Sequence, residues 1–508
     1  MAITPNSSIY FVNVPWGSDY THVCDVANLS TILTGTPLIK TVSDYTYVRK
    51  DSTINVSANM DDLIGANYVM YKNSSHENKW FYAFIESMEY KSDMATAVKI
   101  RTDVYQTWRD VMTLPSCFVV REHVNSDTVG LHTVEENLET GDYIRNTNTV
   151  EAGLDNLAIV IAVSEEETTS DIVSGGMYNG VYSGVKFYAS TNPAAITKKL
   201  IAYNDKGKAE AVLSVFMCPN DFVGASFQTD VEAVATSALG SFLNVTAPAR
   251  PATLDGYTPR NKKLLTYPYQ FLYAHNNSGG AGVYKYELMD GTPAFSIYGS
   301  VAPNPVFKMI PSNMKAYSGS GNDQDQGLTI GGFPLCAWIT DPYKNWIAQN
   351  AGSTALGLGG GVGAMIGGAV TGGATVAVGG ALAVLGQLVQ QEQRKIQPNQ
   401  ANGQINSGSA NTAVTWNDFF LYGKSIRAEY ARIIDEYFDM YGYKIARVKV
   451  PNLTGRSSWN YVKTIDCIVK GGIPESDKQQ LQKMFNNGVT IWHSFTNFGD
   501  YSQSNAIS

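Results

Sequence analysis

The chain has 508 residues, 44 % hydrophobic and 16 % charged, with 30 tyrosines and a formal net charge of −8. That length exceeds the roughly 150 residues of one domain, and the apolar fraction is ample for real cores. The acidic balance, with no Lys/Arg-rich block, excludes a protein that grips nucleic acid through its phosphates.

An acidic surface suits a protein past which DNA must slide without sticking. The plainer reading of −8 is solubility. Low charge with abundant Tyr, Thr and Val favours strands, as in a virion β-protein that buries surface in an assembly. The amino terminus, "MAITPNSSIYFVNVPWG", has no basic region followed by an apolar one. No secretory signal is expected there, and release by lysis fits.

Ser8 to Val14 reads as a strand ended by Pro15. Lys79 to Tyr90 reads as another, and after a polar turn at Lys91 to Asp93 the pattern continues through "MATAVKIRTDVYQTW". From Leu157, "LAIVIAV" is a continuous apolar run, expected of a strand covered on both faces. "NPAAITKKLIAYN" predicts a helix entered at a proline, and "AEAVLSVFM" a strand. "LLTYPYQFLYA" and "GVYKYELM" flank the turn-rich "HNNSGGA" and predict a hairpin. Pro268 within its first arm argues for a sheet edge.

Asp323 and Asp325 resemble the start of a calcium loop, but the remaining ligands are missing. Lys424 to Tyr441 carries apolar residues at Ile426, Tyr430, Ile433, Tyr437 and Met440, one stripe on a helix. Arg432 and Glu436 are spaced to pair across one turn. Gly442 is placed to end that helix. Glu475 to Phe485 predicts a last helix between Pro474 and Gly488.

The five cysteines (Cys24, Cys117, Cys218, Cys336, Cys467) are scattered, so neither a disulfide framework nor a zinc site is expected. No nucleophile elbow, zinc-protease motif or phosphate loop occurs. In "VREHV", Arg121 and His123 share a strand face and Glu122 does not; interface salt bridges are the expected role. Glu165 to Glu167 reads as a solvated turn, and Trp492 with His493 as a core pair rather than a glycan groove. No catalytic residue, metal or cofactor is predicted, and the protein is not expected to be an enzyme.

Between Lys344 and Glu392 lie 47 residues without a charge. A bilayer core needs about 20 helical residues, so two passes fit, Ala351 to Val370 and Ala374 to Gln391. The 13 glycines between Ala351 and Gln391 would disfavour a helix in water by on the order of 13 kcal/mol. In lipid the balance reverses, because each unpaired backbone group costs several kcal/mol. Gly359, Gly363 and Gly367 recur every fourth residue, a spacing that lets membrane helices approach closely. A buried hairpin and an inert linker are the competing readings. The dinucleotide fingerprint is only half matched at Gly359, Gly361 and Ala364, with no strand before it.

Taken in order, several motifs are similar to one family. "YAFIESMEY" (Tyr82 to Tyr90), "DVYQTW" (Asp103 to Trp108), "VREHV", "NKKLLTYPYQFL", "CAWITDPYKNWIAQN" (Cys336 to Asn350), "RSSWNYVKT" (Arg456 to Thr464) and "NNGVTIWH" (Asn486 to His493) resemble the tail-knob, or distal tail-tube, proteins of phi29-like short-tailed phages of Gram-positive bacteria. Residues from about Glu151 to Asn261 carry least of it.

The resemblance implies a homo-hexameric, mainly β tube with some α, built of β-barrel-like domains and an α+β middle domain. It further implies a lumen that conducts double-stranded DNA non-specifically, and other tail and collar proteins as neighbours. A long apolar loop plugs the tube and then penetrates the host cytoplasmic membrane. That loop maps onto Leu356, Leu358, Gly359, Val362, Gly363, Met365, Ile366, Gly367, Val370, Val376, Val378, Leu382, Val384, Leu385, Leu388 and Val389, anchored at Trp338 and Trp346. The stretch here is shorter and richer in glycine than the family implies.

The expected segments are an N-terminal β domain (1–150), a middle α+β domain (151–260), a second β domain (261–345), the apolar loop with its polar linker (346–412) and a C-terminal α+β segment (413–508). The expected location is the virion tail tip, and the host membrane during infection. The alternative is a receptor- or cell-wall-binding tail protein whose glycine stretch only packs. A wall hydrolase would need a carboxylate pair or a Cys/His pair, and none is found.

Overall fold

The structure is a computed structural model. It describes residues 8–330 and 418–508, apart from 36, 44, 49–51, 73–78, 155, 170–172, 174, 179–180, 224–229, 237–242, 277–278, 300, 302–304 and 316–327. The chain is mainly β and forms two compact units, neither continuous in sequence. The first holds Met1–Gly141, Tyr257–Leu264 and Ala428–Ser508; the second holds Asp142–Gly256 and Leu265–Arg427.

In the first unit, a seven-stranded sheet runs in the order Leu38–Val42, Ile9–Val12, Tyr68–Lys72, Trp80–Ser92, Ala95–Thr102, Thr53–Val56, Tyr45–Val48. Side chains alternate between its faces with period two. Along Tyr68–Lys72, Val69 and Tyr71 enter a core with Ile9, Phe11, Ile54 and Val98. Tyr68 and Met70 enter the opposite one with Trp16, Leu29 and Phe84.

The strands expected near Ser8 and Lys79 are therefore present. "DVYQTW" is not a strand. Asp103 turns the chain into the helix Val104–Trp108 by accepting from the N–H groups of Tyr105 and Gln106 at 3.1 and 3.2 Å, the work of an N-cap.

The unit's other sheet has five strands in the order His22–Cys24, Val489–Trp492, Trp459–Ile465, Cys117–Glu122, Tyr443–Lys449. Its strands come from both ends of the chain. Trp492 is 1 % exposed and its ring lies 5.2 Å from that of Trp459, the core role expected of it. The helices Ala428–Tyr441 and Glu475–Asn487 end where glycine was expected, at Gly442 (φ +64°) and Gly488 (φ +98°).

The stripe read on the first of these helices is corrected. Ile426 belongs to the preceding strand, Ile433 is 64 % exposed, and the buried residues are Ala431, Ile434, Asp435 and Phe438. The buried stripe lies one residue on from the expected one, because the first apolar position belongs to the strand. Arg432 lies over the Tyr257 ring at 5.6 Å, and no Arg432–Glu436 pair forms among the described ion pairs.

In the second unit all seven residues of Leu157–Val163 are buried. That strand lies between Val212–Pro219 and Lys186–Ser190, with Glu232–Ala233 beyond. The helix Pro193–Asp205 is capped by Asn192, whose side chain accepts from Ala194 N–H at 2.9 Å. A second sheet runs Leu243–Thr246, Ala294–Gly299, Phe307–Pro311, Leu328–Ile330, and a third runs Tyr143–Arg145, Phe420–Ile426, Gln270–His275, Ala281–Tyr284.

The hairpin is present as Gln270–His275 with Ala281–Tyr284. Its first strand is interior, paired also with Phe420–Ile426, and not at an edge. Pro268 precedes the strand and so removes no ladder donor. Glu165 to Glu167 is no solvated turn either. Glu166 accepts from Lys186 at 2.6 Å and Tyr188 at 2.7 Å, and Glu167 pairs with Lys199 at 2.7 Å. Among the described residues every sheet has two ends and none closes, so the barrel-like form expected of the domains is not seen.

Candidate functional site

The apolar loop from Leu356 to Val389, its anchors Trp338 and Trp346, and Asp323 and Asp325 lie outside the described residues. Among the described residues no helix is long and apolar enough to cross a membrane. What the structure fixes is the chain on either side of residues 331–417, both in the second unit. Before them comes Leu328–Ile330, paired among the described residues with Phe307–Pro311 alone. After them comes Phe420–Ile426, an interior strand.

The chain is held tightly where it follows residue 417. Asp418 is fully buried and accepts from Gly153 N–H at 2.9 Å and from Phe419 N–H at 2.7 Å. Phe419 is also fully buried, and its carbonyl accepts from Ala152 N–H at 3.0 Å. A buried carboxylate that loses such donors costs several kcal/mol, so Asp418 is a fixed point of the second unit.

The first unit contains a cleft of about 570 Å³ lined by Asn125 to Thr128, Arg260 to Lys262, Asp439, Arg456, Trp459 and Gln503 to Ile507. Its floor is a buried polar network. Asp435, fully buried, accepts from Tyr257 Oη at 2.7 Å, Arg260 N at 2.8 Å, Asn261 N at 3.0 Å and Asn261 Nδ2 at 2.8 Å. Asn261 Nδ2 also reaches Asp439 at 2.7 Å, and Arg260 pairs with Asp439 at 2.6 Å. Burial pushes the Asp439 carboxyl up, against the pull of Asn261 and Arg260.

Beneath this, Glu136 is paired with both Arg121 and Lys263 and accepts from Lys444 N–H at 2.8 Å. Burial lowers the Lys263 ammonium despite Glu136. The ionic groups of "VREHV" therefore pair within the chain and do not wait for an interface. Glu122 is paired with Lys449 and accepts from Asn452 N–H at 2.8 Å. His123 is held at both ring nitrogens, Nε2 donating to the Asp439 carbonyl at 2.9 Å and Nδ1 accepting from Tyr461 N–H at 2.7 Å. Burial first, then Arg456, brings its pKa down to about 3.

This arrangement clamps three distant segments; it holds no nucleophile beside a base. Among the described residues no three His, Cys, Asp or Glu side chains stand together as a metal site. Sequence reading missed Asp435, Asn261, Glu136 and Lys263. The available signal was an aspartate on the inner face of the 428–441 helix, obscured by the misplaced stripe. The scattered cysteines Cys24, Cys117, Cys218 and Cys467 are buried thiols.

Residues 236–506 match the family described as Bacillus phage phi29, tail knob protein gp9, C-terminal domain. Residues 6–113 match the caudoviral major tail protein N-terminus. Tail knob protein gp9 of Bacillus phage phi29 is 26 % identical, over 89 % of this chain and 90 % of its own length. Tail knob protein gp9 of Bacillus phage B103 is 25 % identical, over 98 % of each. The bacteriophage C1 tail knob protein, gp12, has a similar fold, with a TM-score of 0.65 at 15 % identity over 99 % of this chain and all of that one.

Proposed function

Because the chain belongs to the family of the phage phi29 tail knob protein gp9, a structural component of the phage tail, we propose that it forms the hexameric distal tube of a short tail. In this reading the tube conducts the genome, and the apolar stretch plugs it and then enters the host membrane.

The observation that carries the membrane step is the 47-residue stretch without charge between Lys344 and Glu392. The tight hold on Asp418 and Phe419, after residue 417, supports a rigid base for such a loop. Mostly Gly, Ala and Val, one copy inserts weakly; several on one ring add their affinities. The low content of charge suits a protein that buries surface against its neighbours, other tail and collar proteins among them. The net charge of −8 suits a lumen that does not hold DNA.

The test is dye release from liposomes by the full chain and by a chain lacking 351–391. The expected result is leakage by the first alone, with both forming six-fold rings in electron micrographs. Leakage unchanged by the deletion removes the membrane step. Binding to host cell walls without leakage favours a wall-binding role.

A further inference from the structure

The cleft of about 570 Å³ in the first unit has no part in the tube reading above. Its size falls within the roughly 300–1,000 Å³ of small-molecule sites, and its walls are pre-formed. On one side Asp127 accepts from Lys262 N–H and from Tyr443 Oη, both at 2.8 Å. On the other, Asn505 accepts from the N–H groups of Ser458 and Trp459 at 3.1 and 3.0 Å, and donates to Trp459 O at 3.0 Å. Arg456 ties the two sides together: its Nε donates to Val124 O at 3.1 Å and its Nη1 to Asn505 O at 3.3 Å. A site held this way loses little freedom when it binds.

The lining has more open donors than open acceptors. Its carboxylates are already engaged by the fold. Asp439 accepts from Asn261 at 2.7 Å and is paired with Arg260 at 2.6 Å, and Asp127 holds the two donors above. Asp435 beneath them gathers four donors. The cations differ. Lys262 is exposed, and among the described ion pairs neither it nor Arg456 has one. The two side-chain bonds of Arg456 go to carbonyls, so its charge is kept, and the planar guanidinium suits a carboxylate or a phosphate. Around these cations stand the exposed side chains of Asn125, Ser126, Thr128 and Ser504. The aromatic residue of the lining, Trp459, is 1 % exposed, so it offers no open ring face on which a flat base could stack.

We propose that this cleft binds a polyhydroxylated oxyanion, a sugar or polyol that carries phosphate or carboxylate. Lys262 and Arg456 take the anionic oxygens through charge-assisted hydrogen bonds. Asn125, Ser126, Thr128 and Ser504 take the hydroxyls, which donate and accept, as these side chains also do. A neutral sugar leaves the two cations without a partner, and a bare inorganic anion leaves the hydroxyl and amide groups unused. The site lies within one copy, so it stands or falls apart from the ring and the membrane step.

The test is calorimetric titration of the full chain with glycerol 3-phosphate, glucose 6-phosphate, glucuronate, glucose and inorganic phosphate. The expected result is a single saturable site per chain for at least one of the first three, with glucose and inorganic phosphate weaker by about tenfold. Whichever of phosphate and carboxylate binds more tightly identifies the anion. Lys262→Gln, at an exposed position, should weaken the preferred probe by about tenfold with the near-UV circular dichroism unchanged. Thr128→Val should weaken the same probe and leave inorganic phosphate as it was. No saturable binding of any probe at millimolar concentration overturns the site. Glucose bound as tightly as its phosphate overturns the role of the cations, and inorganic phosphate bound as tightly as the sugar phosphate overturns that of the hydroxyl and amide groups. Unchanged affinity in both variants removes the ligand from this cleft.

Discussion

Gly442 passes against the backbone of Glu122 so closely that a side-chain carbon on the glycine would overlap the Glu122 carbonyl. The same glycine adopts φ +64° to end the helix Ala428–Tyr441, its N–H donating to Phe438 O at 2.8 Å. Two demands fall on one residue. A left-handed backbone costs a non-glycine residue about 1 kcal/mol, and the overlap with fixed backbone adds more. Gly442→Ala should destabilise the protein by roughly 2–4 kcal/mol, read as a lower urea midpoint with an unchanged slope.

Asp435 is fully buried and gathers four donors from Tyr257, Arg260 and Asn261. Asp435→Ala strands the Arg260 and Asn261 backbone N–H groups, the second of them buried, and should cost about 3–5 kcal/mol. Asp435→Asn keeps one acceptor and should cost less than half of that. Asn261→Ala combined with Asp435→Ala should be far from additive, because the two share one network.

His123 titrates near 3 in the folded chain against an ordinary value of 6.5. Its lowered folded pKa gives stability that is complete above pH 6.5 and is lost as pH falls from there towards 3. At pH 4.5 the loss is on the order of 3 kcal/mol. Unfolding measured at pH 7 and pH 4.5 should show this slope, and His123→Gln should flatten it.

Asp103 behaves in the opposite sense. Burial raises its carboxyl to about 6 from 3.8, while Tyr68 Oη donates to it at 2.9 Å. A raised folded pKa gives stability that is present below pH 3.8 and is lost as pH rises through 6. Asp103→Asn keeps the cap acceptor without the charge. Its stability relative to wild type should therefore rise by about 2–3 kcal/mol between pH 4 and pH 7, measured by denaturant titration at both values.

Much of the local structure was legible. The unbroken run Leu157 to Val163, the asparagine–proline entry to the helix at Pro193, and the glycine stops at Gly442 and Gly488 all formed as read. Each is a signal contained in a dozen residues, where backbone preference and periodicity act alone. The absence of charge between Lys344 and Glu392 was legible in the same way, because it is a property of composition. The errors fell where a local pattern met a boundary. Ile426 lies before a helix that starts at Ala428, and Pro268 before a strand that starts at Gln270.

By itself, then, the sequence determined the elements, their ends and the charge-free stretch between Lys344 and Glu392. The tertiary structure alone decided that Cys117–Glu122 lies between Tyr443–Lys449 and Trp459–Ile465. It alone decided that Asp435 rather than Ile433 faces inward, and that Asp418 is pinned by Gly153. Pairing of strands more than 300 residues apart is selected by whichever partners together offset the entropy of closing the loop between them, and no window of sequence contains both.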